Sequence, residues 1–423
     1  MKSIIRLTQK SVKIKKNLIF IPILILSIST ASAQVDFIWG KQFGSERDER
    51  TRNLMIDSLN NVYVFGKTNG KVGKENFGKY DGFIVKIDNA ANTIWAKQIG
   101  SSGEDDLFNA AIDGSGNLYV TGFIGADAKN TSIPNTDALV VKLNGNGEIV
   151  WQKQYGTDSV DFGWNIAINT NGDIYVIGST KGVIGNASKG KTDCFILHLD
   201  NEGNQLNVVQ FGTSADEQGY GIIIGADSNI YVCGTTEGNM AAENAGKSDI
   251  FWAIYSKDLK QQKIKQFGTE KFDCAAHIKT DNKGNVYIAG STDWVLDPKQ
   301  KLNGDCLLQK WNNQGEIIWT EQFGTDNWDG INGFDIIPDK GVVVSGCQNN
   351  PQCQSFCRMY NEDGSLLWNR NIIAQGGRGT CGKGVCVNQQ GQIYHAGYTG
   401  ANLFSKLRGG HDVFLVKLIA DIK

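Results

Sequence analysis

Proline is scarce in this chain: its 423 residues include 5 Pro beside 51 Gly, and only 4 His. Such a composition, with 10% aromatic and 20% charged residues, excludes a disordered chain and fits a folded, turn-rich β protein. No window carries a sustained apolar period of 3.6, so helices are expected to be few. Catalytic signatures are missing too. The sequence has no G-x-S-x-G elbow and no H-E-x-x-H, and His198, His277, His395 and His411 are scattered, three of them at expected strand positions.

Long apolar runs are also missing after the first one. Lys2, Arg6, Lys10, Lys13, Lys15 and Lys16 form a basic stretch, Leu18 to Ile28 an apolar run, and Ala31-Ser32-Ala33 a small-residue cleavage site. Residues 1–33 are therefore expected to be a secretory signal peptide. The run is shorter than the roughly 20 residues of a spanning helix, and Pro22 interrupts it. No Cys stands at the cleavage point, so lipid anchoring is not expected there. Of 42 basic and 44 acidic residues, the leader holds six basic and no acidic ones, leaving residues 34–423 acidic by eight. That balance argues against nucleic acid and anionic membranes as partners. The expectation is an exported, monomeric protein without a transmembrane segment, periplasmic, cell-surface or extracellular.

What the chain does have is repetition. Trp39, Trp95, Trp151, Asn207, Lys263 and Trp319 stand 56 residues apart and open successive repeats; a seventh begins at Trp368. Three residues on come Gln42, Gln98, Gln154, Gln210, Gln266 and Gln322. Later in each repeat follow phrases such as "NVYVFG" and "NLYVTG", then Asp81, Asp137, Asp193, Asp249 or Asp305 before an apolar run. Each repeat thus holds four short apolar stretches divided by turn signals such as "DGSGN" and "NGNG". A four-stranded antiparallel unit cannot bury both faces alone, whereas seven arranged radially can. The expected fold is all-β, a seven-bladed β-propeller over residues 34–423. The chain opens with a fourth-type strand and ends on a third-type strand, "DVFLVKL". Phe37–Phe43 is therefore expected to pair with Val413–Leu418 and close the ring, removing two exposed edges.

The pattern W-x-K-Q-F-G-[ST], then D-x-x-G-N-x-Y-V-x-G, then G-x-D-x-F-hydrophobic-x-K resembles the bacterial SBBP (seven-bladed beta-propeller) repeat family. The resemblance runs from Trp39 onward, strong in five repeats and weaker in the last two. It implies a secreted or cell-surface propeller and brings no common catalytic residues.

Ten residues into each repeat stands an acid: Glu49, Asp105, Asp161, Glu217, Asp273 and Asp329, with Arg378 at that count in the seventh. A ring of carboxylates could hold Ca²⁺, but each acid could equally accept backbone N–H bonds at a turn between blades, and the second reading is favoured. No other cofactor is expected. Beside these acids Phe108, Trp164 and Tyr220 take one equivalent position, where other blades have Arg52, Ala276 and Asn332; Trp328 lies on the same crossing in the sixth repeat. Aromatic faces beside carboxylates suit a sugar or peptide. The plainer reading, that they plug the channel or pack between blades, is modestly preferred.

Nine cysteines include a late group, Cys347, Cys353, Cys357, Cys381 and Cys386. In an exported chain these suggest one or two disulfides, for example Cys347 with Cys353 or Cys357 and Cys381 with Cys386. No C-x-x-C pair or nearby His supports zinc. Cys194 and Cys306 share one repeat position and are expected to be buried thiols. These features point to a binding or scaffold propeller that presents one face of the ring to a protein or glycan. The alternative is a propeller enzyme with a composite site at the channel mouth, quinone-dependent or glycan-cleaving. The element "NGNGEIVW" resembles quinoprotein repeats, but the spacing from turn acid to Trp is one residue short.

Overall fold

The computed structural model describes residues 35–125, 135–185, 187–293, 305–349, 352–374 and 376–420. The leader expected at 1–33 lies outside them. Among the described residues, 28 strands form seven four-stranded antiparallel sheets, and there is no helix. The first complete blade is β2 (Glu49–Ile56), β3 (Val62–Thr68), β4 (Asp81–Ile87) and β5 (Thr93–Ile99), paired in that order. Its first hairpin turns on Asp57, whose carboxylate accepts the N–H groups of Leu59 and Asn61 at 3.0 and 2.8 Å. Asn60 there has φ 63°, a left-handed position that Gly116, Gly172 and Gly284 take in later blades. This is the physical content of the D-x-x-G-N phrase.

The same arrangement repeats with innermost strands β6 (Asp106–Ile112), β10 (Asp161–Ile168), β14 (Glu217–Ile224), β18 (Asp273–Thr280), β22 (Gly330–Ile337) and β26 (Thr380–Val387). The last blade is completed from the other end of the chain. Strand β1 (Val35–Phe43) pairs antiparallel with β28 (Asp412–Ala420), placing Phe37 opposite Leu418 and Phe43 opposite Val413, as the sequence leads one to expect.

Burial follows strand order. Every residue of β4 is buried, while the first residues of β5 are exposed. Seven apolar clusters hold the ring together, and each straddles one blade junction. One joins Tyr119 and Val140 of the second blade to Ile166, Val176 and Phe195 of the third. The repeated Trp explains itself at the rim. The indoles of Trp39, Trp95, Trp151 and Trp319 donate to carbonyls of Asn89, Gly145, Asn201 and Glu362, at the hairpin of the next blade, at 3.0–3.2 Å. Asn207 and Lys263, which replace Trp, donate to Asp258 and Asn313 in the same way.

At the other end of each outer strand the junction is polar. Gln98 Nε2 donates to Asp81 Oδ2 at 2.8 Å and to the Gly70 carbonyl at 2.9 Å, and its Oε1 accepts from the N–H groups of Val72 and Gly73. Asp81 in turn faces Asp105 across Gly100. A Cβ on Gly100 would stand 2.4 Å from Asp81 Oδ1 and 2.8 Å from Asp105 Oδ2, so only glycine fits. Equivalent glycines separate Asp412 from Glu49, Asp137 from Asp161, Asp193 from Glu217, and Asp305 from Asp329. The six crossing acids are all buried. Each accepts the N–H of the residue four positions earlier, from Ser45 to Glu49 (2.7 Å) through Thr269 to Asp273 (2.6 Å). This geometry supports the turn-capping reading. In the seventh blade the place belongs to Thr380, paired with Thr399 as Glu49 is with Thr68, and not to Arg378. The crossing that follows Trp368 is two residues longer than its counterparts, which shifts the count.

Two buried carboxylates at one junction oppose ionisation. Burial, together with the neighbouring Asp329 charge, raises the Asp305 pKa from 3.8 to about 6, while Gln322 works against the rise. An acid whose folded pKa is raised contributes stability that is complete below about pH 4 and is lost as pH rises through 6. Asp305→Asn should therefore stabilise the protein by between about 1 and 3 kcal/mol at pH 7–8. The gain should vanish near pH 4; thermal unfolding of both proteins from pH 4 to 8 measures it. Removing residues 34–43 should strip β28 of its partner and lower the unfolding temperature. Light scattering should then show aggregation that rises with concentration, suppressed by adding the Val35–Phe43 peptide.

Candidate functional site

The seven innermost strands each carry a β-bulge at one register position. Pairing of β2 with β3 skips between Thr51 and Asn53, leaving Arg52 out of the ladder. The same skip leaves out Phe108, Trp164, Tyr220, Ala276, Asn332 and Lys383. A bulge re-aims a side chain, and here it gives seven half-buried residues on the strands that surround the channel. Three of them are the aromatics singled out from the sequence, and the fold brings these together. Phe108 stacks on Trp164 with centroids 4.5 Å apart, and Tyr220 meets Trp164 edge-on at 5.2 Å. Phe123 and Phe162 extend the group, and the Trp164 indole donates to Ser179 Oγ at 3.0 Å. The rings therefore pack on one another while retaining some exposure. Trp328 stands apart: it is 51% exposed and makes no ring contact with them among the described residues.

The arc turns basic at its Phe108 end. Arg52 lies over the Phe108 ring at 5.5 Å and pairs with Asp106 at 2.6 Å. Lys383, the seventh member, faces Tyr398 at 5.9 Å. Burial lowers its pKa to about 8, helped by Arg52 and Arg50. The two extra residues after Trp368 take Lys383 out of the count that marks its equivalents in the sequence.

Beyond the bulges the channel continues as a cavity of about 360 Å³, lined from all seven blades by residues including Asn53, Asn109, Asn165 and His277. Burial holds His277 neutral, its pKa lowered to about 4. His395 is buried, bonded to Ser355 Oγ at 2.6 Å and the Gly384 carbonyl at 2.9 Å, also with a pKa near 4.

A larger groove, about 1030 Å³, opens beside the junction of the last and first blades. Its walls are the crossing at Gly44–Arg47, the loop after β3 and the loop before β28. Arg47, Lys71, Lys406 and Arg408 line it, all exposed. None of the four forms an ion pair among the described residues. Glu46 is the one acid in the lining. From the groove, β2 carries Arg50 and Arg52 on toward the channel mouth. No sequence motif marks this groove, because its cations come from three separate loops.

The cysteines correct the sequence expectation. The disulfide joins Cys347 to Cys381, with Cα atoms 5.1 Å apart. Cys381 and Cys386 lie five residues apart on one extended strand, far beyond the reach of a disulfide. Cys347 faces Ser355 across its hairpin, so Cys353 and Cys357 are each displaced from it by two residues. Cys357 and Cys386 are free and buried in different apolar clusters. Cys194 and Cys306 are buried free thiols, as expected. One motif match is set aside by the fold: residues 185–192 fit G-x-x-x-x-G-K-[ST], but Thr192 leads into the strand Asp193–Leu199 and not a helix.

No family model matches the chain. It is 24% identical over 268 residues to the regulatory protein FlaEY of Caulobacter vibrioides, a match covering 54% of this chain and 28% of that protein. Among solved structures, a PL25 polysaccharide lyase, an ulvan lyase, superposes with a TM-score of 0.54 at 13% identity, covering 89% of this chain and 96% of the lyase. The Pan2 WD40 domain of Neurospora crassa gives 0.50 at 9% identity, covering 86% and 88%. BBS1N, solved in complex with ARL6DN, gives 0.51 at 9% identity, covering 92% and 97%. At these identities the likeness is one of fold: the chain is a seven-bladed β-propeller whose structural neighbours include both enzymes and binding proteins.

Proposed function

We propose that the chain is an exported binding propeller that takes an acidic glycan on the face carrying the blade crossings. In this reading the polymer lies in the groove of Arg47, Lys71, Lys406 and Arg408 and reaches the channel mouth at Arg52 and Lys383. There a sugar ring packs against the exposed parts of Phe108, Trp164 and Tyr220. The observation that carries it is the segregation of unpaired cations beside an aromatic arc, in a chain whose overall charge is acidic. Clustered cations focus a local potential whatever the net charge, and aromatic faces add the stacking surface that sugars use. An export signal at 1–33 would give the protein access to such polymers. The lyase neighbour was also solved with a bound -[GlcA(1-4)Rha3S]- chain, which makes a sulfated uronate polymer a sensible first probe.

Isothermal titration of the full chain with an acidic polysaccharide and a neutral one tests this reading. Binding should be confined to the acidic polymer and weaken as salt is raised. Arg47→Ala with Arg408→Ala should weaken it roughly tenfold or more, the loss of two charge-assisted contacts of about 1 kcal/mol each. Trp164→Ala should weaken binding while leaving its salt dependence in place. Equal binding of both polymers, or none of either, would overturn the reading.

A further inference from the structure

The sulfurs of Cys347, Cys353 and Cys381 lie within 4.8 Å of one another, beside the channel mouth. Cys347 ends the inner part of β23 (Gly341–Asn349), Cys353 opens β24 (Cys353–Tyr360), and Cys381 sits on β26 of the next blade. The two disulfide partners are 2% and 6% exposed, whereas Cys353 is a free, half-buried thiol. A disulfide with a third thiol at this distance has the components of an exchange reaction.

We propose that these three residues form a thiol–disulfide exchange site in which Cys353 is the attacking sulfur, Cys381 the shared one and Cys347 the leaving one. Cys353 gives its proton to solvent and its thiolate attacks Cys381 Sγ. The Cys353–Cys381 bond forms as the Cys347–Cys381 bond breaks. Cys347 leaves with the electron pair and then takes a proton from solvent. Nothing is oxidised or reduced overall, so no external reagent is needed.

The surroundings choose these roles. Asn332 Nδ2 lies 3.7 Å from Cys347 Sγ while donating to the Gly382 carbonyl at 3.0 Å, so an amide donor is already aimed at the sulfur that must carry charge on departure. Leaving groups stabilised as thiolates depart faster. The start of β24 is tied to that of β26, where Ser355 N–H donates to Thr380 Oγ1 at 3.0 Å, so Cys353 is held within reach of the sulfur on β26. The charged and titratable groups facing Cys353 are Lys383 on β26, Asp329 on the crossing before β22 and Tyr398 on the strand after β26. Burial raises the Cys353 pKa, Lys383 opposes that rise and Asp329 adds to it. Exchange is therefore slow at neutral pH and quickens as pH rises toward the thiol's pKa. Either disulfide keeps the two blades linked; the exchange moves the link from β23 to β24 and frees a buried thiol.

The full chain, purified without reductant, is held at pH 6 to 9, trapped with N-ethylmaleimide and mapped by mass spectrometry after digestion in acid. The expected result is a Cys353–Cys381 peptide beside Cys347–Cys381, with maleimide on both Cys353 and Cys347. The second disulfide should approach a fixed share at a rate that rises with pH and does not depend on protein concentration. Cys353→Ser should leave Cys347–Cys381 alone, Asn332→Ala should slow the approach at least threefold, and Lys383→Gln should move the rate profile to higher pH. Should the serine variant not fold, the wild-type time course still decides. Cys347–Cys381 as the sole disulfide among these three at every pH would overturn the proposal, as would a rate proportional to protein concentration.

Discussion

Two buried carboxylates facing each other over a glycine set how one blade joins the next, and the face that carries the blade crossings is built on that contact. Each acid is spent on the chain's own groups, the crossing acid on turn N–H groups and the strand aspartate on a glutamine. The glutamine then reaches outward. Gln98 Oε1 accepts from Val72 and Gly73, fixing the loop that presents Lys71. Gln42 Oε1 accepts from Leu403, Phe404 and Ser405, fixing the loop that presents Lys406 and Arg408. The walls of the basic groove are therefore held by the same buried polar network that holds the ring. The network is not saturated, since Asp81 Oδ1 and Asp305 Oδ1 are buried without a hydrogen-bond partner among the described residues, each facing the neighbouring acid.

Ring closure draws on the same network. Gln42 belongs to β1, so the strand that completes the last blade also clamps the last long loop through Asp412 and Ala401. Closure and groove share a residue. A propeller whose first strand came loose would lose both an edge partner and one wall of the basic groove.

Much of this was legible in the sequence because it is repeated. The 56-residue spacing revealed blades, strand order and ring closure, and the acid at position ten correctly suggested a turn cap. The aromatic arc was legible as an equivalent position with unequal occupants, although its mutual stacking was not. What escaped shares one physical cause: it lies between repeats and not within them. The groove cations come from three loops far apart in the chain. Thr380 and Lys383 fall out of count because the crossing from Trp368 into the seventh blade is two residues longer than the others, 12 residues to Thr380 against 10 from Trp39 to Glu49. The disulfide was misassigned because spacing along the chain ranks near neighbours first, whereas Cys347 and Cys381 meet across adjacent blades.

That disulfide stands where the polar junction fails. Six junctions carry a facing pair of acids, from Asp412 with Glu49 to Asp305 with Asp329. Between the sixth and seventh blades, Gln354 takes the place of the strand aspartate and Thr380 that of the crossing acid. Neither can repeat the carboxylate's double acceptance of turn N–H groups. At this junction the chain instead places a covalent link, Cys347 to Cys381, within one or two residues of the missing acids. A covalent link holds two strands without needing the glycine-and-acid geometry, so it relaxes the sequence around it. Around that link stand Asn332, Cys353 and Lys383, whose side chains surround the disulfide at this one junction.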